Sequence, residues 1–176
     1  VNILSTIDEN WGSTWTPYTK QFEIELNPAK RAENYAREVL EEMFGVLTPS
    51  DNTEAGYDLF SRSTRNRIEV KYDKLSRKTG RVAIEYEAYG KPKGIQETLA
   101  DHYFIICYDK DWFELKDKVA KKGWWIGILI KTEKLKGLVN TMSYKKVSGG
   151  DNNGTKMHLV PVEDIREESV KIYPIK

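Results

Sequence analysis

One cysteine and two histidines in 176 residues close off several kinds of chemistry. Cys107 has no partner for an internal disulfide, so a reducing, intracellular setting in the cytoplasm is the expectation. Zinc needs several soft ligands and a thiol nucleophile needs a neighbouring base, and these three residues form no close pairing of either type. No apolar run approaches the roughly 18 residues of a membrane span, so no membrane partner is expected. The chain has no Gly-x-x-x-x-Gly-Lys loop and no Gly-x-Gly-x-x-Gly turn, which removes the usual grounds for a nucleotide cofactor. Repeats and low-complexity tracts are missing too. Its length suits one domain with a substantial core.

A charge of one sign is also lacking, since the formal net charge is only +1, but the charges are unevenly spread. From Asn27 to Phe60 there are 3 basic and 7 acidic residues, from Ser61 to Ala100 there are 10 and 5, and from Lys110 to Lys146 there are 10 and 4. A basic band beside an acidic pocket suits a protein that holds a phosphate backbone and binds cations at one spot. Ordinary solvated lysines are the plain alternative.

Residues 1–26 carry Trp11, Trp15, Pro17 and Tyr18 among polar residues and read as an irregular arm, ending in a short strand at Gln21 to Leu26, before a single domain over 27–176. The arm suits a clasp on DNA or on a second subunit. Asn27 as cap and Pro28 at the first helical position open a helix, with Ala29, Ala32, Ala36, Val39, Leu40 and Met43 at helical spacing up to Gly45. Glu33 falls about 70° from the centre of that stripe and borders the buried face, whereas Glu38 and Glu41 fall on the far side.

Three strands follow: Tyr57 to Phe60, Arg67 to Asp73 and Val82 to Glu87. Joined by turns, they suggest an antiparallel meander. Ile95 to His102 reads as a short helix, Tyr103 to Tyr108 as a buried central strand, Trp112 to Lys122 as an amphipathic helix, and Trp124 to Ile130 as another apolar strand. Thr132 to Val139 reads as a helix capped by Thr132 with Glu133 in its first turn, Ser148 to Gly154 as a flexible loop, Lys156 to Val160 as a strand and Glu163 to Glu168 as an acidic-capped turn. The fold class is therefore α/β, a mixed sheet flanked by helices.

With histidine and thiol chemistry removed, carboxylates and lysines remain. Asp58 stands on one short strand, Glu69-Val70-Lys71 on the next, and Glu33 on the preceding helix. Glu114-Leu115-Lys116 repeats the tripeptide, but only Glu69 and Lys71 share a strand face next to a strand bearing another carboxylate. Two close carboxylates make a hard oxygen site suited to Mg²⁺, which can bind a phosphate oxygen and supply a nucleophilic water. A lysine on the same face can orient that water or offset developing charge. The alternative is a ladder of surface ion pairs, which contributes little.

In this order, helix with Glu33, then Gly56-Tyr57-Asp58, then a hairpin to Glu69-Val70-Lys71, then a further strand and helix, the chain resembles the PD-(D/E)XK nuclease superfamily of restriction-endonuclease-like fold, in its phage or prophage form. The resemblance covers about Asn27 to Tyr108. It implies a Mg²⁺-dependent DNA endonuclease, with Mn²⁺ able to substitute and the host cytoplasm as its place if phage-encoded. It further implies that Asp58 and Glu69 hold metal with the Val70 carbonyl, that Lys71 assists the attacking water, and that Glu33 completes the site. Tyr57 stands where the name-giving proline would be. Glu85 on the next strand either enters the same cleft or pairs with Lys71. Gly90 to Asp101 resembles the turn and second helix of such nucleases, which implies DNA contacts by Lys91, Lys93 and Thr98. Structure-selective cutting or nicking, with a homodimer as one working arrangement, fits a chain this small. A catalytically inactive DNA-binding module of the same fold and a structural or partner-binding protein are the competing classes.

Overall fold

Pro28 fixes the first turn of a helix that runs from Pro28 to Phe44 (α1) in the computed structural model, which describes residues 28–50, 56–116 and 119–175. The predicted cap at Asn27, the arm and its strand lie outside the described residues. α1 stops at Gly45, whose φ of +69° suits a residue without Cβ and whose N–H donates to the Glu41 carbonyl at 2.8 Å. The buried stripe is Arg31, Ala32, Tyr35, Ala36, Leu40 and Phe44, centred within about 10° of the predicted one at 100° per residue but broader, and Ala29 and Met43, near the two ends of the helix, face outward. The rings of Tyr35 and Phe44 lie on the two flanks of the stripe and widen it.

The remaining elements are β1 (Leu47–Pro49), β2 (Leu59–Ser61), β3 (Arg67–Tyr72), the single turn α2 (Ser76–Thr79), β4 (Arg81–Ala88), β5 (Lys91–Pro92), β6 (His102–Lys116), β7 (Val119–Lys131), α3 (Thr132–Thr141), β8 (Lys145–Gly149), β9 (Thr155–Pro161), α4 (Val162–Glu167) and β10 (Lys171–Pro174). Among the described residues they form two sheets, one ordered β1-β2-β3-β6-β7-β10 and one ordered β5-β4-β9-β8. The larger sheet is mixed: β3 and β6 are parallel, and the other pairings are antiparallel. The chain is thus a mixed α/β protein, as expected. α1 covers one face of the large sheet over Leu59, Ile68, Phe104, Ile106 and Leu129. The other face carries Tyr103, Ile105, Ile126, Ile128 and Ile130 and is covered by the second sheet, through Val82, Ile84 and Val160, with α3 and α4. A sheet buried on both faces explains why Tyr103 to Tyr108 is almost wholly apolar.

Five predicted features are corrected. The meander ends at β3, because β4 leaves for the second sheet and the open edge of β3 is taken by β6. The turn between β3 and β4 is fixed by Asp73, whose carboxylate accepts the N–H groups of Ser76 at 3.1 Å and Ala83 at 2.8 Å, while Ser76 Oγ accepts the Tyr108 N–H at 2.8 Å. The helix expected over Ile95 to His102 is a single 3₁₀ turn, Gly94–Gln96, because Ile95 is pulled into the core and His102 already pairs in β6. The helix expected over Trp112 to Lys122 is the far end of the β6–β7 hairpin, where Phe113 pairs with Lys122 and Glu114 with Lys121. Cross-strand pairing supplies the backbone partners that a helix would have supplied there. Thr132 is the first helical residue and not the cap, because β7 runs straight into α3 and the Thr132 N–H donates to the Asp101 carbonyl at 3.0 Å. The Ser148 to Gly154 stretch is the connection of the β8–β9 hairpin, in which Ser148 and Gly149 are paired with Lys156 and Thr155.

Candidate active site

The site begins where two strands part. β2 pairs with β3 at Leu59 with Ile68 and at Phe60 with Arg67, and the Asp58 N–H donates to the Ile68 carbonyl at 2.9 Å. Beyond Ile68 the ladder is continued by a side chain: the Val70 N–H donates to Asp58 Oδ2 at 2.7 Å. In an extended strand the N–H and C=O of one residue point to the same side, so the Val70 carbonyl also faces the opening that Asp58 borders.

Side chains alternate along β3. Ile68, Val70 and Tyr72 pack under α1, which sends Glu69 and Lys71 to the opposite face. The parallel register sets Glu69 beside Tyr103 and Lys71 beside Ile105. Glu33 projects from α1, 20% exposed, and accepts an ion pair from Lys30 at 3.1 Å.

Electrostatics tie these groups together. Burial is the largest influence on Asp58 and raises its carboxyl above the ordinary range; the Val70 N–H and Lys30 oppose this, and Glu33 adds to it. Glu69 is pushed up to about 8, first by burial and then by Asp58, with Glu33 and Glu85 adding and Lys71 opposing. Glu33, Asp58, Glu69, Lys71 and Glu85 therefore lie within electrostatic reach of one another. The two expected sources of relief for the carboxylates are missing: among the described residues Glu69 has no ion pair within 4.0 Å, and Lys71 is not paired with Glu85. A cluster with surplus negative charge and half-buried carboxyls is a place where a cation lowers the energy of the folded protein.

The donor set suits Mg²⁺, which takes one or two carboxylates and keeps several waters. Asp58 Oδ1 and the Glu69 carboxyl supply those oxygens, with the Val70 carbonyl and Glu33 at the margin. Among the described residues no three acidic, histidine or cysteine side chains close round one point as a ready-made cage.

Two contributors were not singled out by the sequence. Tyr103 is 4% exposed, and its phenol is driven further from ionisation by burial and then by Glu69, with Glu85 and Asp58 adding and Thr98 opposing. The signal available was a phenol at the head of an apolar strand. Lys30 is the other, three residues before Glu33.

The basic turn behaves differently. Lys91 and Lys93 are exposed, and Lys93 pairs with Glu97 at 3.0 Å. The hydroxyl of Thr98 is committed inside the protein: it donates to the Gly56 carbonyl at 2.6 Å and accepts the Ala100 N–H at 3.1 Å.

No family model matches this chain, and no curated protein matches it. The function is read from the chemistry of the site.

Proposed function

We propose that this protein is a Mg²⁺-dependent endodeoxyribonuclease that hydrolyses phosphodiester bonds in DNA, with nicking or structure-selective cutting as its mode. The observation that carries this reading is the grouping of Asp58, Glu69 and Glu33, in which Glu69 has no close ion pair, with a lysine, Lys71, on the strand face of Glu69. Asp58 is oriented by the Val70 N–H on one oxygen, which leaves the other free to ligate. Glu69 takes up a proton near neutral pH when no cation is near and gives it up when one binds. Bound there, Mg²⁺ supplies positive charge to a phosphate oxygen and activates a water. Lys71 holds its ammonium beside Glu69, where it orients the attacking water and offsets the charge that grows on the phosphate. Glu33, ion-paired with Lys30, would hold a second ion or its waters. Lys91 and the basic segment after Lys110 neutralise backbone phosphates, so affinity falls with salt.

The test is incubation of wild type and Lys71→Ala with supercoiled plasmid and with a branched duplex, in Mg²⁺, in Mn²⁺ and in chelator. Metal-dependent cutting by wild type that disappears in Lys71→Ala is the expected result, and the preferred substrate separates junction cutting from general endonuclease action. Binding without cutting identifies an inactive DNA-binding module. Neither binding nor cutting at low salt overturns the reading in favour of a structural or partner-binding protein.

A further inference from the structure

We infer that residues 94–101 form an internal strap that holds the acidic site in register, with Thr98 as its positioning residue. The strap touches every strand or loop that brings a carboxylate. Thr98 Oγ donates to the carbonyl of Gly56, two residues before Asp58, at 2.6 Å. Asp101 grips the start of β3, two residues before Glu69: its carboxylate accepts the Arg67 N–H at 2.8 Å and its own N–H donates to the Arg67 carbonyl at 2.8 Å. At the other end, Gly94 lies against the backbone of Glu85 so closely that a Cβ there would stand 2.3 Å from the Glu85 carbonyl oxygen, and its φ is +53°. Ile95, 1% exposed, anchors the strap in the core.

Thr98 is the narrow point of this arrangement. Its hydroxyl serves the Gly56 carbonyl and the Ala100 N–H together. A Cβ on Gly56 would lie 3.4 Å from Thr98 Cα and from the Leu99 nitrogen, so the two backbones run side by side at this point. Without the hydroxyl, the Gly56 carbonyl loses its partner and the Gly56 to Asp58 segment is held only at its Asp58 end, where the Asp58 N–H donates to the Ile68 carbonyl at 2.9 Å, so the approach of Asp58 to Val70 loses one of its two restraints. The role is positioning, because Thr98 faces inward and is not offered to DNA.

The catalytic consequence rests on the nuclease reading; the structural one does not. The experiment is amide hydrogen exchange by NMR on the metal-free protein, reading Val70 as reporter of the Asp58 bond and Ile105 and Ile128 as controls for the fold, together with cleavage kinetics. In Thr98→Val, Val70 exchange is expected to accelerate about tenfold with Ile105 and Ile128 unchanged, and kcat to fall about tenfold with KM for DNA unchanged. Thr98→Ser should restore both. Val70 exchange at the wild-type rate in Thr98→Val, or failure of Thr98→Ser to rescue, overturns the inference. If Thr98→Val also loosens Ile105 and Ile128, the decision passes to Gly94→Ala, which displaces the strap from Glu85 with Thr98 intact. Accelerated Val70 exchange there supports the strap, and an unchanged rate overturns it. Wild type that cuts no DNA sinks the nuclease reading and leaves the exchange result to decide the strap alone.

Discussion

Asp109 and Glu69 are both acidic residues on strands of the large sheet, and they are treated in opposite ways. Asp109, 2% exposed, has its charge answered: the Arg166 guanidinium of α4 binds one carboxylate oxygen, and the Asp111 N–H donates to the other at 3.0 Å. That bond raises the already high pKa of Arg166. Glu69 has no ion pair within 4.0 Å among the described residues; Asp58, Glu33 and Glu85 raise its carboxyl, and Lys71 opposes them only in part. A buried acid with its partner in place holds a fold together. A half-buried acid among other carboxylates, with one lysine on its face, adds little to the fold by its charge.

The contrast is broken most severely at the site. Lys71→Ala should lower the cleavage rate by about 10²-fold or more, the scale at which a group that stabilises developing charge contributes, while thermal unfolding shifts little. Loss of stability equal to the loss of activity would make Lys71 a structural residue. At the other pole, Arg166→Met leaves the Asp109 charge buried without its partner and should cost about 3 kcal/mol of stability, read by urea unfolding, with cleavage per folded molecule unchanged. A loss near zero would show that Asp109 is not the charge-satisfied anchor described above.

Next in size is a pH effect of unusual sign. Glu69 in the folded, metal-free protein is raised to about 8 from an ordinary 4.5, so between those values the folded state binds more protons than the unfolded one. Stability then falls as pH rises through that window, the reverse of an ordinary ion-paired acid. The melting temperature without metal should drop from pH 5 to pH 8.5, and Glu69→Gln should flatten that drop while abolishing cleavage. Added Mg²⁺ should recover more stability at pH 8.5 than at pH 5, because only the ionised carboxylate binds it. A melting temperature that rises over the same range contradicts the account of Glu69.

The smallest effect separates the two lysines of the basic turn. Lys91→Ala should reduce the slope of log affinity for DNA against log salt by about 1, whereas Lys93→Ala should change it less, since Glu97 already shares that charge. Equal slopes for both variants would remove the distinction drawn from the ion pair.

Much of the site was legible because strand alternation is rigid: once Ile68, Val70 and Tyr72 are assigned inward, Glu69 and Lys71 must share the other face. Glu33 was legible from helical angle in the same way, since the buried stripe is centred close to the predicted one. The hydroxyl of Thr98 was not legible, because a threonine in a lysine-rich turn looks the same whether its hydroxyl faces solvent or, as here, a carbonyl 42 residues away. Trp112 to Lys122 was misread because periodicity in a short mixed stretch fits a helix as well as a strand, and only the pairing of β6 with β7 chooses.

What the sequence by itself determined is local: the start of α1 at Pro28 and its end at Gly45, the alternation of β3, the apolar centre of β6 and β7, and the grouping of acidic and basic residues. These follow from sterics and from patterns a few residues long. Tertiary structure alone decided that β3 would pair in parallel with β6 and not with β4, that a second sheet would cover the other face, and that the 94–101 segment would tie Gly56, Arg67 and Glu85 together. Those choices depend on which buried surfaces and backbone groups find partners across the whole chain, and no short pattern carries that information.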